Sequence, residues 1–226
     1  RRPRSPARVI PSLLRRSADF RRFWLGQTVS LFGDQISLIA LPLTAVLVLD
    51  ASPAEMGYLT TAELLPNLLF SLFAGAWVDR RGRRRRMMLA TDVGRALLLA
   101  TIPIAYALGH LTFPQLYVVA FLTGSLSVIF YVAYSALFAI MVARDDLVEG
   151  SSLLHGTRAF SLIAGPSVGG VLVQLLRAPY ALLADALSFV ASALFLSRMR
   201  VEEPPGSSGD SDGVMRRVGR NDCPVA

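Results

Sequence analysis

The sequence predicts an all-α integral membrane protein with six transmembrane helices, and three observations carry that reading. Hydrophobic residues fill 53% of the 226 positions and charged residues only 17%, a balance foreign to a water-soluble globule of this length. Six apolar runs follow one another, at residues 24–49, 57–78, 87–108, 115–142, 152–175 and 180–197. Each can cross a hydrocarbon layer about 30 Å thick at about 1.5 Å per helical residue. Between the second and third runs, residues 75–86 carry six arginines and Asp79. One arginine at the centre of a spanning helix costs about 2.5–3.5 kcal/mol, so this stretch must lie in water.

Taken in order, residues 1–22 hold eight arginines and prolines at positions 3, 6 and 11, which predicts a basic, disordered cytoplasmic tail drawn to anionic headgroups. Phe23 and Trp24 mark the interface, and residues 23–200 form the six-helix transmembrane bundle. Span 1 is too long for the apolar segment of a signal peptide and contains Asp34, so it reads as retained. Asp50-Ala-Ser-Pro53 separates spans 1 and 2, Gly109–Pro114 separates spans 3 and 4, and Arg144-Asp145-Asp146 separates spans 4 and 5. Arg177-Ala-Pro179 separates spans 5 and 6. The loops expected outside hold only Arg177, whereas the N-terminal tail and the loop after span 2 are rich in arginine, which puts both termini in the cytoplasm of a multi-pass cell-membrane protein. From residue 201 to 226 the composition turns to Pro, Gly, Ser and Asp, which predicts a disordered cytoplasmic linker or tail.

The composition also excludes functions. All 23 basic residues are arginine, but they flank apolar runs as topology requires, so the net charge of +7 is not an argument for nucleic acid. Cys223 is the sole cysteine, so no intrachain disulfide can form, and no Cys/His cluster has metal-ligand spacing. No zinc-binding His/Glu pattern and no serine or aspartate dyad suggests an enzyme, and no cofactor is expected.

Polar residues inside the spans point to a cavity. In span 1, Gln27, Ser30, Asp34, Ser37 and Thr44 share one helical face, and Asp34 lies about 15 Å deep. An ionisable side chain near the midplane is a functional candidate, for proton or cation coupling. Span 2 repeats the spacing with Thr60, Glu63, Asn67 and Ser71, and span 4 offers Thr123, Ser127, Tyr131 and Tyr134. Such faces need a shared aqueous cavity, and Gln27, Ser30, Ser37, Glu63, Asn67, Tyr131 and Tyr134 are its candidate lining. Asp92 and Arg95, three residues apart in span 3, read as a structural ion pair close to the arginine loop, and His155 and Arg158 as side chains reaching the cytoplasmic surface. In span 5, Gly165, Pro166, Gly169 and Gly170 predict close helix packing and a kink.

Two motifs give these features a family. Gly75-x-x-x-Asp79-Arg80-x-Gly82-Arg83-Arg84 resembles the signature of the loop between helices 2 and 3 of the major facilitator superfamily. Gly165-Pro166-x-x-Gly169-Gly170 resembles that superfamily's antiporter motif, with Ser161 where a further glycine is usual. The segments around Gly26–Asp34, Ala62–Pro66, Asp92–Leu99 and Asp185–Phe189 are similar to the branch that exports multiple drugs, macrolides and siderophores. The resemblance implies a proton-coupled antiporter for small molecules, built from inverted three-helix repeats, with Asp79 in a conformational latch against the other half and Arg83 helping to order the loop. Because the family pattern has twelve spans, the expectation is an N-terminal half, probed against two alternatives: a truncated membrane protein that transports nothing, and a half-transporter that works by dimerising. Its expected partners are the bilayer, protons, a small-molecule substrate, and a C-terminal half or second copy.

Overall fold

The computed structural model describes residues 12–201, apart from the side chains of Ser12 and Asp79. Residues 1–11 and 202–226, with the outer part of the expected N-terminal tail, the expected C-terminal tail and Cys223, lie outside the described residues. The helices are α1 (Ser12–Arg16), α2 (Ala18–Leu49), α3 (Pro53–Arg81), α4 (Arg84–Ala107), α5 (Phe113–Met141), α6 (Leu147–Leu176) and α7 (Ala178–Ser197). A 3-10 turn (Arg144–Asp146) leads into α6. The six helices from α2 to α7 are each long and apolar enough to cross a membrane, one for each expected span.

The expectation of disorder up to residue 22 is corrected for residues 12–22, which are helical. The cause is local. Ser17 caps α2 by accepting the Phe20 N–H at 3.1 Å, and Phe20 and Phe23 are almost wholly buried. Leu13 N–H donates to Glu149 Oε1 at 2.9 Å, fastening α1 to the start of α6. Periodicity marked the apolar part of span 1 and could not see a basic first turn tied down by residues more than a hundred positions away.

The turns explain where the other helices stop. Asp50 ends α2 in the left-handed region at φ 52°, and Ser52 and Glu55 form a reciprocal capping box ahead of Pro53. Gly82 ends α3 at φ 63°, donating its N–H to Val78 O, a conformation that costs glycine nothing. This is the local reason for glycine at that position of the arginine-rich loop.

Packing runs in an open series rather than a closed ring. α3 packs on α5, α5 on α4, α4 on α7, α7 on α2, and α2 on α6, while α3 and α6 stay apart at the two ends. Two large apolar cores fill the bundle, and a small third cluster of Leu13, Phe20 and Val142 holds α1. One gathers Ile36, Ala40, Leu99, Leu116, Leu182 and Phe189, and the other, toward the arginine loop, gathers Phe23, Val78, Met88, Phe130, Leu196 and Met199. Between them lies a belt of buried polar residues: Ser30, Asp92, Arg95, Asp185, Ser188 and Ser192.

Candidate functional site

Small residues on α2 determine how the belt is assembled. At Gly33 a Cβ would collide with Ser188 Oγ and Asp185 Oδ1, and at Gly26 it would press on Phe195 and Ser192. These glycines let α7 lie against α2 with its polar atoms directly on the neighbouring backbone. Ser37 Oγ, on α2, donates to Asp185 Oδ2, and Ser188 Oγ donates to Asp185 Oδ1 at 3.0 Å. Asp185 is thereby 1% exposed yet held by two hydroxyls.

On α4, Arg95 forms a salt bridge with Asp92 through Nη2 and reaches Ser127 Oγ on α5 at 3.4 Å. Its guanidinium is clamped between the rings of Phe130 and Phe189, at 4.4 and 4.1 Å from their centroids. Both partners are buried, at 1% and 0% side-chain exposure. The expectation of an ion pair close to the arginine loop is corrected in position. Arg95 is eleven residues past Arg84 in a 24-residue helix, near the middle of the span. An arginine at that depth is tolerable because a carboxylate, a hydroxyl and two aromatic faces replace its hydration.

Two cavities open in the bundle, where the sequence pointed to one, and the smaller of them reaches this belt at Asp185. The smaller, about 180 Å³, is lined by Asp34, Ser37, Glu63, Thr123, Ser127 and Asp185 with apolar neighbours. Asp34 makes no hydrogen bond or ion pair with another described residue. It is half-buried, so a carboxylate oxygen remains available to the cavity. The larger, about 500 Å³, is lined by Gln27, Asn67, Tyr131, Tyr134, His155 and Arg158 among others. It lies between α2, α3, α5 and α6, in the gap that the open packing series leaves. Ser30 and Thr44 line neither. Ser30 is buried in the belt, and Thr44 donates to Ala40 O in its own helix at 2.7 Å. His155 and Arg158, expected at the membrane surface, stand on the wall of the larger cavity.

The two motifs fare differently. In α6, Gly165 packs on the Gln35 side chain, and Gly169 would bring a Cβ to 3.3 Å from Gln35 O and Ile36 Cα. Gly170 faces open space, Pro166 is exposed, and α6 continues through the proline. Ser161, fully buried one turn before Gly165, completes the small-residue seam against α2. In the loop motif, Gly75 also faces open space, Arg80 and Arg83 are exposed, and Arg84 begins α4. The neighbouring Arg85 donates through Nη1 to Met199 O, tying the loop to the end of α7. The side chain of Asp79 lies outside the described residues.

Asp185 is the residue that sequence reasoning passed over as a site candidate. Its signal was present, as an isolated carboxylate in an otherwise apolar run, the same criterion that singled out Asp34. What periodicity could not supply was its partner, Ser37, 148 positions away.

The sequence pattern of the Major Facilitator Superfamily matches residues 23–219. The multidrug efflux pump Tap of Mycolicibacterium fortuitum is 29% identical over 184 residues, covering 75% of this chain and 42% of the pump. An uncharacterized MFS-type transporter of Bacillus subtilis, YfiS, is 26% identical over 184 residues, covering 81% of this chain and 43% of that protein. Tap of Mycobacterium tuberculosis strain H37Rv is 27% identical over 187 residues, covering 75% and 41%. The chain therefore spans about two fifths of the length of these relatives.

Proposed function

The chain belongs to the major facilitator superfamily of membrane transporters, and from that premise we propose that it forms the N-terminal six-helix half of a permease that exports small molecules of the drug, macrolide or siderophore type. The observation that carries the reading is the pair of cavities between the spanning helices, with Asp34 and Asp185 in one and tyrosines and amides in the other. A soluble substrate's polar groups and a transported proton both need such positions, because nothing in hydrocarbon satisfies them. In this reading Asp34 carries the coupling proton, the larger cavity receives the substrate, and the arginine loop lies in the cytoplasm of the cell with both termini. Asp79 then latches one end state against the second half and Arg83 helps to order the loop, while the Asp92–Arg95 pair holds the bundle together.

The open packing series favours a requirement for a second six-helix unit, a C-terminal half or a second copy, closing the larger cavity between α3 and α6. The test is accumulation of a lipophilic fluorescent drug in pump-deficient cells expressing the 226-residue chain, alone or with the C-terminal half of a Tap relative. Lower accumulation that an uncoupler abolishes is the expected result with the second half present. Efflux that survives the uncoupler would remove protons from the mechanism. Efflux by the chain alone, with a cross-linked dimer, would make the partner a second copy; no efflux in any arm would leave a membrane protein that does not transport.

A further inference from the structure

A third cavity is larger than both of the cavities described above. It measures about 660 Å³ and lies where α3, α4 and α5 meet at the arginine end of the bundle. Arg81, Arg83 and Arg86 line it, and among the described residues none of its lining side chains is acidic. Its other wall is apolar, formed by Trp77, Leu126 and Ile129 with Met87 and Ala90. Arg81 stacks on Trp77 at 4.3 Å, which fixes one guanidinium over the apolar wall.

Three cations facing one cavity repel one another unless an anion joins them, and guanidinium groups bind phosphate oxygens in bidentate fashion. The first turn of α4 adds to this. Arg83, its N-cap, makes no side-chain capping bond, and no acidic residue stands in the first turn of this 24-residue helix, whose end carries positive dipole charge. A free phosphate would satisfy the arginines and leave Leu126 and Ile129 facing water. A phospholipid would satisfy both walls at once, with its headgroup at the arginines and its chain along α5.

We propose that this cavity is a binding site for an anionic phospholipid, whose phosphate is held by Arg81, Arg83 and Arg86 and whose acyl chain covers Leu126 and Ile129. The site shares no lining residue with either of the other two cavities and does not depend on the transport reading.

Trp77 provides the reporter, since the chain has only one other tryptophan, Trp24. The Trp24→Phe chain is reconstituted in phosphatidylcholine vesicles containing a fifth, by mole, of brominated phosphatidylglycerol or of brominated phosphatidylcholine. Brominated phosphatidylglycerol is expected to quench Trp77 more strongly at equal fraction. Arg83→Gln with Arg86→Gln, which spares the Trp77–Arg81 stack, should weaken phosphatidylglycerol binding about 30-fold, at about 1 kcal/mol per arginine near the surface. Equal quenching by the two lipids, or an unchanged response in the double variant, overturns the proposal. Inorganic phosphate is the competitor that separates the sources. Restored fluorescence at millimolar phosphate would mean a site for a soluble anion and would also overturn the lipid assignment. If the double variant does not fold, competition by unlabelled phosphatidylglycerol against phosphatidylcholine in the Trp24→Phe chain decides the question alone.

Discussion

The seam between α2, α7 and α4 and the outer helices α3 and α6 are made from similar sequence and behave in opposite ways. In the seam, polar side chains find protein partners: Ser37 and Ser188 on Asp185, and Asp92, Ser127, Phe130 and Phe189 around Arg95. On α3, Leu68 and Leu72 are 79% and 85% exposed, and on α6 Ile163 is 78% exposed. Leucine on a lipid-facing surface gains nothing by burial, so association of spanning helices rests on small residues and polar bonds. The seam has both. α3 meets the bundle through α5, where Gly124 sits against Glu63 O and Pro66, and its remaining face is left for lipid or another protein surface.

Five single substitutions would break or sharpen that contrast. Arg95→Leu has the largest expected effect, because it strands the Asp92 carboxylate in the core at a cost of about 3–5 kcal/mol. Loss of monodisperse protein in detergent would register it, and the double change Arg95→Leu with Asp92→Leu should recover much of the yield. Gly33→Val comes next, at about 1–3 kcal/mol, because its side chain would occupy the place of Ser188 Oγ and Asp185 Oδ1. Gly170→Ala, in the same motif as Gly165, meets open space and should stay within about 0.5 kcal/mol in a thermal-unfolding assay, whereas Gly165→Ala forces Gln35 to move. A similar loss from both glycines would mean that α6 is held by more than the α2 seam. Leu72→Ala should change stability least, and a large loss of melting temperature there would show that α3 is packed against something.

A separate pair tests the division between holding and handling. Asp34→Asn should leave folding intact, since Asp34 bonds to no described residue, and should abolish the pH dependence of efflux in the transport assay above. Asp185→Asn keeps the shape and one acceptor, so a folded protein with altered pH dependence would place Asp185 in proton transfer, and an unaltered profile would confine it to packing.

Much of the fold was legible because its signals are local. Each of the six apolar runs could be counted along its own segment, and each is one long helix. The one-face spacing of Gln27, Ser30, Asp34 and Ser37 was legible too, yet these residues separate into a buried packing position, a small cavity and a larger one. A helix face about 100° wide can meet different neighbours on its two sides, and spacing carries no record of which neighbour lies where. Asp185 and the N-terminal helix were missed for the same reason, since their partners are remote in sequence.

The sequence by itself determined six spans, their order and the arginine-rich loop between the second and third. Those follow from a fixed bilayer thickness, the cost of charge in hydrocarbon and the rise of a helix, all counted along one segment at a time. Only the tertiary structure decided that Arg95 lies at the centre of an aromatic clamp, that Asp185 faces Ser37, and that the polar faces open on two cavities instead of one. Those depend on the rotation and order of helices set by glycine contacts such as Gly33 on α7 and Gly165 on α2, which no single segment encodes.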